Sequence, residues 1–291
     1  MSDDESSDWS DTESIDSCEA YINFESIRVD RLEKAISFSW PGIYEDEDDG
    51  ADNDNDDSTE VKENKNLRKI VVSTLLEEED LAPLFDGSRW AGTRLWGAAV
   101  RAIQYISGHL PGANIADHGI KISTNDDSLL ELGCGLGVPG MIYHLIGGNV
   151  VLTDQAEILS QLEKNVVDNF PSTDNKEHAI RAMPLSWSRS DVSGLLKQLG
   201  RSSIGFDVVL NCDCVYEPLY GDSWHLLNET IDELLKVNPK CVVISSMERR
   251  AADGIDNFLE EMRNMEHVGS VEKVWFEEGR KIEIYITRGI M

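Results

Sequence analysis

The sequence has little positive charge. Its 291 residues include 26 Lys and Arg against 55 Asp and Glu, which gives a formal net charge of −29. So acidic a chain repels the phosphates of nucleic acids, and this argues against a nucleic acid as the main partner. Lysine-rich protein surfaces are the partners that this charge favours.

Cysteines and long apolar runs are also scarce. The five cysteines are odd in number and three lie in apolar, strand-like segments, which argues against a disulfide framework. Cys212 and Cys214 have no second Cys or His pair at a metal-like spacing, so we predict no metal site. No apolar stretch reaches the roughly 18 residues that a membrane span needs, and residues 1–5 do not resemble a signal peptide. We expect no membrane association, and a location in the cytoplasm or also in the nucleus.

The acidic residues are concentrated at the N-terminus. Residues 1–60 hold 21 Asp and Glu against 3 Lys and Arg. Self-repulsion and few apolar residues predict a largely disordered tail over 1–66, followed by a folded domain over 67–291. The tail is either a solubilising leader or an attractor for a basic partner. Between its acidic runs, the spacing of some apolar residues is typical of a short docking helix, with a partly ordered tail as the alternative: Ile22, Ile27, Leu32, Ile36 and Phe38.

After the tail, strand-like and helix-like segments alternate. Apolar strand-like runs lie at 129–132, 150–153, 180–185, 206–211 and 241–245, and helical patterns at 139–145, 156–170, 191–199 and 222–237. This alternation predicts a mainly parallel sheet with helices on both faces. The last two strand-like runs, 271–277 and 281–287, are separated by only three residues, so they must form an antiparallel hairpin. The prediction is therefore an α/β, Rossmann-like, seven-stranded sheet with an antiparallel C-terminal hairpin.

A glycine-rich turn follows the first of these core strands. Gly133, Gly135 and Gly137 lie between an apolar run and a helical pattern that begins near Pro139. Glycines suit a sharp turn whose backbone passes close to a ligand. Asp154 ends the next strand, about 20 residues after the first glycine, where a carboxylate can accept hydrogen bonds from ribose hydroxyls. The pattern predicts a nucleoside site.

The glycine spacing alone leaves the nucleoside open. Residues 135–140 also satisfy the G-x-G-x-x-G pattern of nicotinamide cofactors. Three features favour S-adenosylmethionine instead. Glu131 suits a cationic ligand better than a pyrophosphate. The turn contains no Lys or Arg, and the C-terminal hairpin is typical of methyltransferase sheets.

Five short segments, in order along the chain, resemble those of a known family: Leu95–Ala99, Glu131–Gly137, Leu152–Asp154, Leu185–Trp187 and Asp213–Tyr216. The chain resembles family 16 of the seven-β-strand methyltransferases over about residues 68–289. These are largely lysine methyltransferases of non-histone proteins, including chaperones and translation elongation factors. The Leu-Ser-Trp and Asp-x-x-Tyr strings are the most specific parts. One departure is Gly97, where the family often has Pro or Asp.

The resemblance implies a role for individual residues at the cofactor. Trp96 would border the cofactor pocket, and Glu131 with Gly133–Gly137 would surround the methionine moiety of S-adenosylmethionine. Asp154 would hold the ribose, and Trp187 would lie along the adenine.

The resemblance also implies that Asp213 and Tyr216 form the mouth where the acceptor lysine enters. Asp213 can attract the ammonium, and the ring of Tyr216 can face it with a cation–π attraction of roughly 0.5–2 kcal/mol. The segment Met247–Arg250 either shapes the acceptor groove or is a solvated loop. We predict a monomeric protein-lysine methyltransferase. The alternatives are a non-catalytic adaptor with the same fold, an arginine methyltransferase and a nicotinamide-dependent oxidoreductase.

Overall fold

The computed structural model describes residues 28–31, 35–40, 68–73, 92–113, 115–118, 127–171 and 179–291. These residues form two sheets. The smaller is antiparallel and contains β1 (Arg28–Arg31), β2 (Ala35–Trp40) and β3 (Arg68–Ser73), in that order. The prediction of a docking helix between residues 21 and 44 is therefore wrong over residues 28–31 and 35–40, which are strands. Phe38 is fully buried in the main hydrophobic core because β2 pairs with β3, which packs on the rest of the protein.

The larger sheet has seven strands, and it confirms the predicted fold class. Its strands are β4 (Ser128–Leu132), β5 (Asn149–Asp154), β6 (Ile180–Pro184), β7 (Val208–Cys212), β8 (Val242–Glu248), β9 (Val268–Glu277) and β10 (Ile282–Gly289). Their order across the sheet is β6-β5-β4-β7-β8-β10-β9. The first five strands in that order pair in parallel, and β10 is antiparallel to both β8 and β9. The order reverses at β4, and ligands of open α/β sheets bind at such a point, outside the carboxyl ends of the strands.

Helices cover both faces of this sheet. They are α1 (Gly97–Ile106), α2 (Val138–Leu145), α3 (Ala156–Asn169), α4 (Arg189–Gln198), α5 (Glu217–Tyr220), α6 (Trp224–Val237) and α7 (Ile255–Arg263). Successive strand residues point to opposite faces, so Leu129 packs in one hydrophobic cluster and Leu130 in the other. Apolar residues of α1, α2 and α3 fill the first cluster, and those of α4, α6 and α7 fill the second.

The small sheet is attached to α3 by side-chain amides. Asn165 Oδ1 accepts a hydrogen bond from the Ser73 amide at 2.8 Å, and Asn169 Oδ1 accepts one from the Val71 amide at 3.0 Å. Gln161 and Asn169 donate to the carbonyl oxygens of Ser73 and Val71 at 2.5 and 2.8 Å. The amides thus provide the hydrogen bonds that a neighbouring strand would provide to β3. They explain why β3 has no strand partner on that edge within the described residues.

The division of the chain at residue 66 stays a prediction, but β1 and β2 lie on the N-terminal side of it and pair into the sheet that contains β3. Over the ranges that the structure describes, no helix is both long enough and apolar enough to cross a membrane.

Candidate functional site

The glycine turn begins directly after β4. Gly133, Gly135 and Gly137 have φ angles of 58°, 53° and 73°, in the left-handed region that favours glycine. A Cβ atom on Gly133 would lie 2.8 Å from Cys214 Sγ. A Cβ on Gly135 would lie 3.1 Å from the carbonyl oxygen of Gly92. Side chains at these two positions would therefore displace Cys214 and the backbone of Gly92, which lie beside the carboxyl end of β4.

Asp154, the last residue of β5, points towards this turn. Its Oδ2 accepts a hydrogen bond from the Gly135 amide at 2.7 Å, and its Oδ1 accepts one from the Gln155 amide at 2.7 Å. Burial raises the pKa of this carboxyl above its ordinary value, and the two backbone hydrogen bonds oppose that shift. Each oxygen retains a lone pair for a ligand hydroxyl. The two hydrogen bonds thus fix the orientation of the Asp154 side chain at the glycine turn.

Glu131 lies deeper, within β4. Its side chain is almost fully buried, with 1% of the residue's surface exposed, and its Oε2 accepts a hydrogen bond from the Gly140 amide at 2.8 Å. Burial raises the pKa of Glu131 from 4.5 to about 8, against the lowering effect of that hydrogen bond. A cation brought next to this carboxyl would favour its ionised form. Glu131 is therefore a group whose charge a cationic ligand would stabilise.

A single cavity of about 630 Å³ joins these elements. Its volume lies within the usual range of small-molecule sites, roughly 300–1,000 Å³. Every residue that the sequence predicted for the site except Tyr216 lines this cavity: Trp96, Glu131, Gly133, Gly135, Gly137, Asp154, Trp187 and Asp213. An adenosyl ligand with a cationic methionine end fits this set, because the cavity offers Asp154 for ribose hydroxyls and Glu131 for positive charge. The individual roles of these residues stay predictions.

The cavity also contains residues that the sequence did not single out. Tyr220 lines it beside Asp213, and burial, with the nearby Cys214 and Asp213, raises the pKa of its phenol. Tyr220 is the last residue of α5, whereas Tyr216 precedes this helix in extended backbone, so no helical spacing relates the two side chains and no local pattern indicated Tyr220. Cys214 Sγ donates to the Leu132 carbonyl at 3.3 Å, and burial raises the pKa of this thiol, which keeps it protonated. The described residues hold no group of three side chains suited to bind a metal.

At the end of the cavity near Asp213, two carboxylates and two aromatic rings surround an arginine. Asp213 Oδ2 is 2.5 Å from Arg250 Nη2, and Glu248 Oε2 is 2.9 Å from the same nitrogen. The guanidinium carbon lies 5.4 Å from the ring centre of Trp96 and 5.2 Å from that of Tyr216. We call Asp213, Glu248, Trp96 and Tyr216 the cation cage. Asp213 has a φ of 56°, in the left-handed region that Asp adopts more readily than most non-glycine residues, and its Oδ1 accepts a hydrogen bond from the Glu248 amide at 3.1 Å.

The structure thus brings Asp213 and Tyr216 together, as the sequence predicted, but with Arg250 between them. Arg250, at the end of the segment Met247–Arg250, is half-buried, and the role of this segment at an acceptor groove stays a prediction. The sequence singled out the segment that contains Arg250 but not its contact with Asp213, because the two residues lie 37 positions apart in the chain.

Comparisons with known proteins agree with this geometry. A sequence profile described as lysine methyltransferase matches residues 75–265. A protein named secreted RxLR effector protein 48, from Plasmopara viticola, is 44% identical over 128 residues, which are 42% of this chain and 64% of that protein. EEF1A lysine methyltransferase 3 of Xenopus tropicalis is 30% identical over 169 residues, 58% of this chain and 67% of that one. Protein N-lysine methyltransferase METTL21A of Danio rerio is 28% identical over 165 residues, covering 57% and 67%.

The chain therefore spans slightly less than two thirds of the first of these relatives and about two thirds of the other two. The profile match covers more than half of the chain and includes the glycine turn, Asp154, Trp187 and the cation cage. The chain thus belongs to the lysine methyltransferase family, whose members depend on S-adenosylmethionine.

Proposed function

We propose that this chain transfers methyl groups to the side-chain amine of a lysine in a non-histone protein. The observation that carries the proposal is the continuity of two sites. Trp96 and Asp213 belong both to the wall of the 630 Å³ cavity and to the cation cage. A cofactor in the cavity and a cationic side chain in the cage would thus be neighbours, which a group transfer between them requires.

S-adenosylmethionine, when bound, supplies an electrophilic methyl group on a positively charged sulfur. The chain's own residues would hold it at both ends. Asp154 accepts hydrogen bonds from the ribose, Trp187 packs against the adenine, and Glu131 supplies negative charge near the methionine end. Trp187 already contacts the turn, since a Cβ on Gly133 would lie 3.1 Å from its ring. Held in this way, the methyl group would be aligned with an amine that enters from the cage.

The acceptor amine must arrive neutral, although a free lysine has a pKa near 10.4, so only about one molecule in a thousand is neutral at pH 7.4. Asp213 and Glu248 attract the ammonium, and the rings of Trp96 and Tyr216 hold it by cation–π attraction. Asp213 is the predicted catalytic carboxylate because it lines the cofactor cavity as well. The proton would leave through water that reaches the cage.

The substrate class follows from charge and from the relatives. The chain's net charge of −29 favours a basic protein, and one relative is named for methylating EEF1A, so we propose elongation factors as the first substrates to test. We further propose that the protein acts as a monomer in the cytoplasm, with the nucleus as a second compartment. Size-exclusion chromatography with light scattering tests the first statement, and fluorescence microscopy of the tagged chain tests the second.

Incubation with labelled S-adenosylmethionine and a protein extract, followed by mass spectrometry of the labelled proteins, tests the function. We expect methylated lysine. The Asp154→Asn variant should lose labelling, because an amide accepts the ribose and backbone hydrogen bonds less well than a carboxylate. Asp168→Asn is the matched control, since Asp168 is half exposed and pairs only with Lys164 among the contacts described. Methylated arginine would contradict the lysine assignment, and cofactor binding without any labelling would favour a non-catalytic adaptor.

A further inference from the structure

Arg250 makes contacts that an acceptor ammonium would be expected to make. Its guanidinium is within salt-bridge distance of Asp213 and Glu248 and lies over the rings of Trp96 and Tyr216. These are the two kinds of group, carboxylates and aromatic faces, that proteins use to bind organic cations. The cage and the cofactor cavity share Trp96 and Asp213, so the guanidinium lies next to the part of the cavity wall that these two residues form.

The contacts fill the cage. Both oxygens of Asp213 are engaged, one by Arg250 and the other by the Glu248 amide. The Arg250 side chain is 18% exposed and that of Asp213 is 3% exposed. A second cation could not pair with Asp213 while the guanidinium remains, because both oxygens of this buried carboxylate are already engaged. The Glu248 side chain is 28% exposed and keeps one oxygen outside the contact with Arg250.

The Arg250 side chain can nevertheless move out of the cation cage. Arg250 lies between the end of β8 and the start of α7, where Ala252 and Gly254 have positive φ angles. Its backbone is held by a hydrogen bond from the Arg250 amide to Asp253 Oδ2 at 2.9 Å, which involves no atom of its side chain. Rotation about the long side chain can therefore withdraw the guanidinium while the backbone stays in place.

We propose that Arg250 is an internal occupant of the acceptor subsite and that a substrate lysine must displace it before methyl transfer. The inference rests on the proposed function. Arg250 is then a specificity-determining residue: it excludes isolated lysines, which cannot compete with a tethered cation, and admits lysines whose surrounding protein surface contributes further binding. If the open state accounts for 1–10% of molecules, the apparent affinity for a small lysine ligand falls by about 10- to 100-fold.

The test measures the binding of Nα-acetyl-lysine N-methylamide to the full chain loaded with S-adenosylhomocysteine, by ligand-observed NMR. The wild type is compared with Arg250→Gln and with the control Arg249→Gln. Arg249 is the next residue, but its salt bridges are to Asp253, Asp256 and Glu283, outside the cage. We expect the dissociation constant of Arg250→Gln to be at least about tenfold lower than that of the wild type. The control should match the wild type, and the norleucine analogue, which lacks the amine, should show no gain.

A structural role for Arg250 gives the opposite result. If the guanidinium only maintains the shape of Asp213, its removal leaves the lysine ligand bound equally or more weakly while S-adenosylhomocysteine still binds, and this overturns the inference alone. Failure of the wild type to bind S-adenosylhomocysteine overturns the proposed function together with the inference. Arg250→Lys provides a second variant if Arg250→Gln does not fold. It keeps the charge but loses the planar fork, so an affinity between those of the wild type and Arg250→Gln is expected, and an unchanged affinity would contradict the proposal.

Discussion

Replacing Glu131 with glutamine should stabilise the ligand-free protein and weaken its binding of the cofactor. The carboxyl is buried in β4, and its recorded hydrogen bond is with the Gly140 amide. Glutamine keeps an oxygen that can accept this bond, with nearly the same volume, but it cannot ionise. The substitution thus removes the buried charge while it preserves the contact.

The size of the effect follows from the pKa. In the folded protein burial raises the pKa of Glu131 to about 8, whereas the unfolded chain releases this proton near 4.5. The folded state therefore holds the proton more tightly, so the wild type loses stability as the pH rises from about 4.5 to about 8 and then loses no more. Between pH 5.5 and pH 8 the loss is roughly 3 kcal/mol. Glu131→Gln does not undergo this loss. Its advantage in unfolding free energy over the wild type should therefore be larger at pH 8 than at pH 5.5 by that amount, which corresponds to roughly 6–12 °C in Tm.

Urea unfolding of both proteins at pH 5.5 and pH 8 measures the change in stability. Titration calorimetry with S-adenosylmethionine, whose sulfonium carries the positive charge, measures binding, and here the order of the two proteins reverses. The wild type should bind more tightly as the pH rises towards 8, by up to about tenfold per pH unit, because the ionised carboxylate meets a cationic ligand. Glu131→Gln should bind weakly at both values. The reasoning would be refuted if Glu131→Gln and the wild type differed in stability by the same amount at both pH values. A wild-type affinity that does not change with pH would refute it as well.

Three other predictions concern different parts of the molecule. Asp213→Asn should bind S-adenosylhomocysteine normally but lose about 100-fold or more of its turnover, because the carboxylate that attracts the acceptor ammonium is removed. Calorimetry measures the binding and a labelling assay measures the turnover. Wild-type turnover in this variant would remove Asp213 from the mechanism. Asn165→Ala should lower the free energy of unfolding in urea by about 1–3 kcal/mol, since it removes two part-buried hydrogen bonds between the Asn165 side chain and the Ser73 backbone. Unchanged stability would show that these two contacts contribute nothing. Deletion of residues 1–27 should raise the KM for a basic protein substrate at low salt and have little effect at high salt, because surface charges are then screened. An unchanged KM at low salt would dismiss an attractive role for residues 1–27.

The part of the fold that the sequence predicted is the part governed by local patterns. Leu129 and Leu130 point to opposite faces of a sheet that is covered on both sides. Both positions are therefore apolar, and the sequence of the strand shows consecutive apolar residues. The hairpin of β9 and β10 was predictable because only a short link separates the strands. The glycine turn and Asp154 were recognisable together because parallel strands bring their carboxyl ends to one edge.

The features that escaped prediction depend on distant partners. β1 and β2 are strands of four and six residues, and β2 gains its stability from pairing with β3 about 30 residues later. No periodicity within residues 21–44 records that pairing, and the same apolar residues fitted a helix equally well. The surroundings of Arg250 were not predicted for the same reason, since the position of a guanidinium between two rings and two carboxylates is a product of tertiary structure.

The amides that join β3 to α3 restrict where the protein can be shortened. Helix α3 contributes Ala156, Glu157 and Ile158 to the cofactor cavity at its first turn, and Gln161, Asn165 and Asn169 to the small sheet further along. A version that begins after the acidic tail, near residue 67, would keep β3 but remove the strands that pair with its other edge, including the buried Phe38. For crystallography or binding studies, an N-terminal truncation should therefore start no later than Arg28. Otherwise the helix that shapes the cofactor cavity would carry an unsupported edge strand.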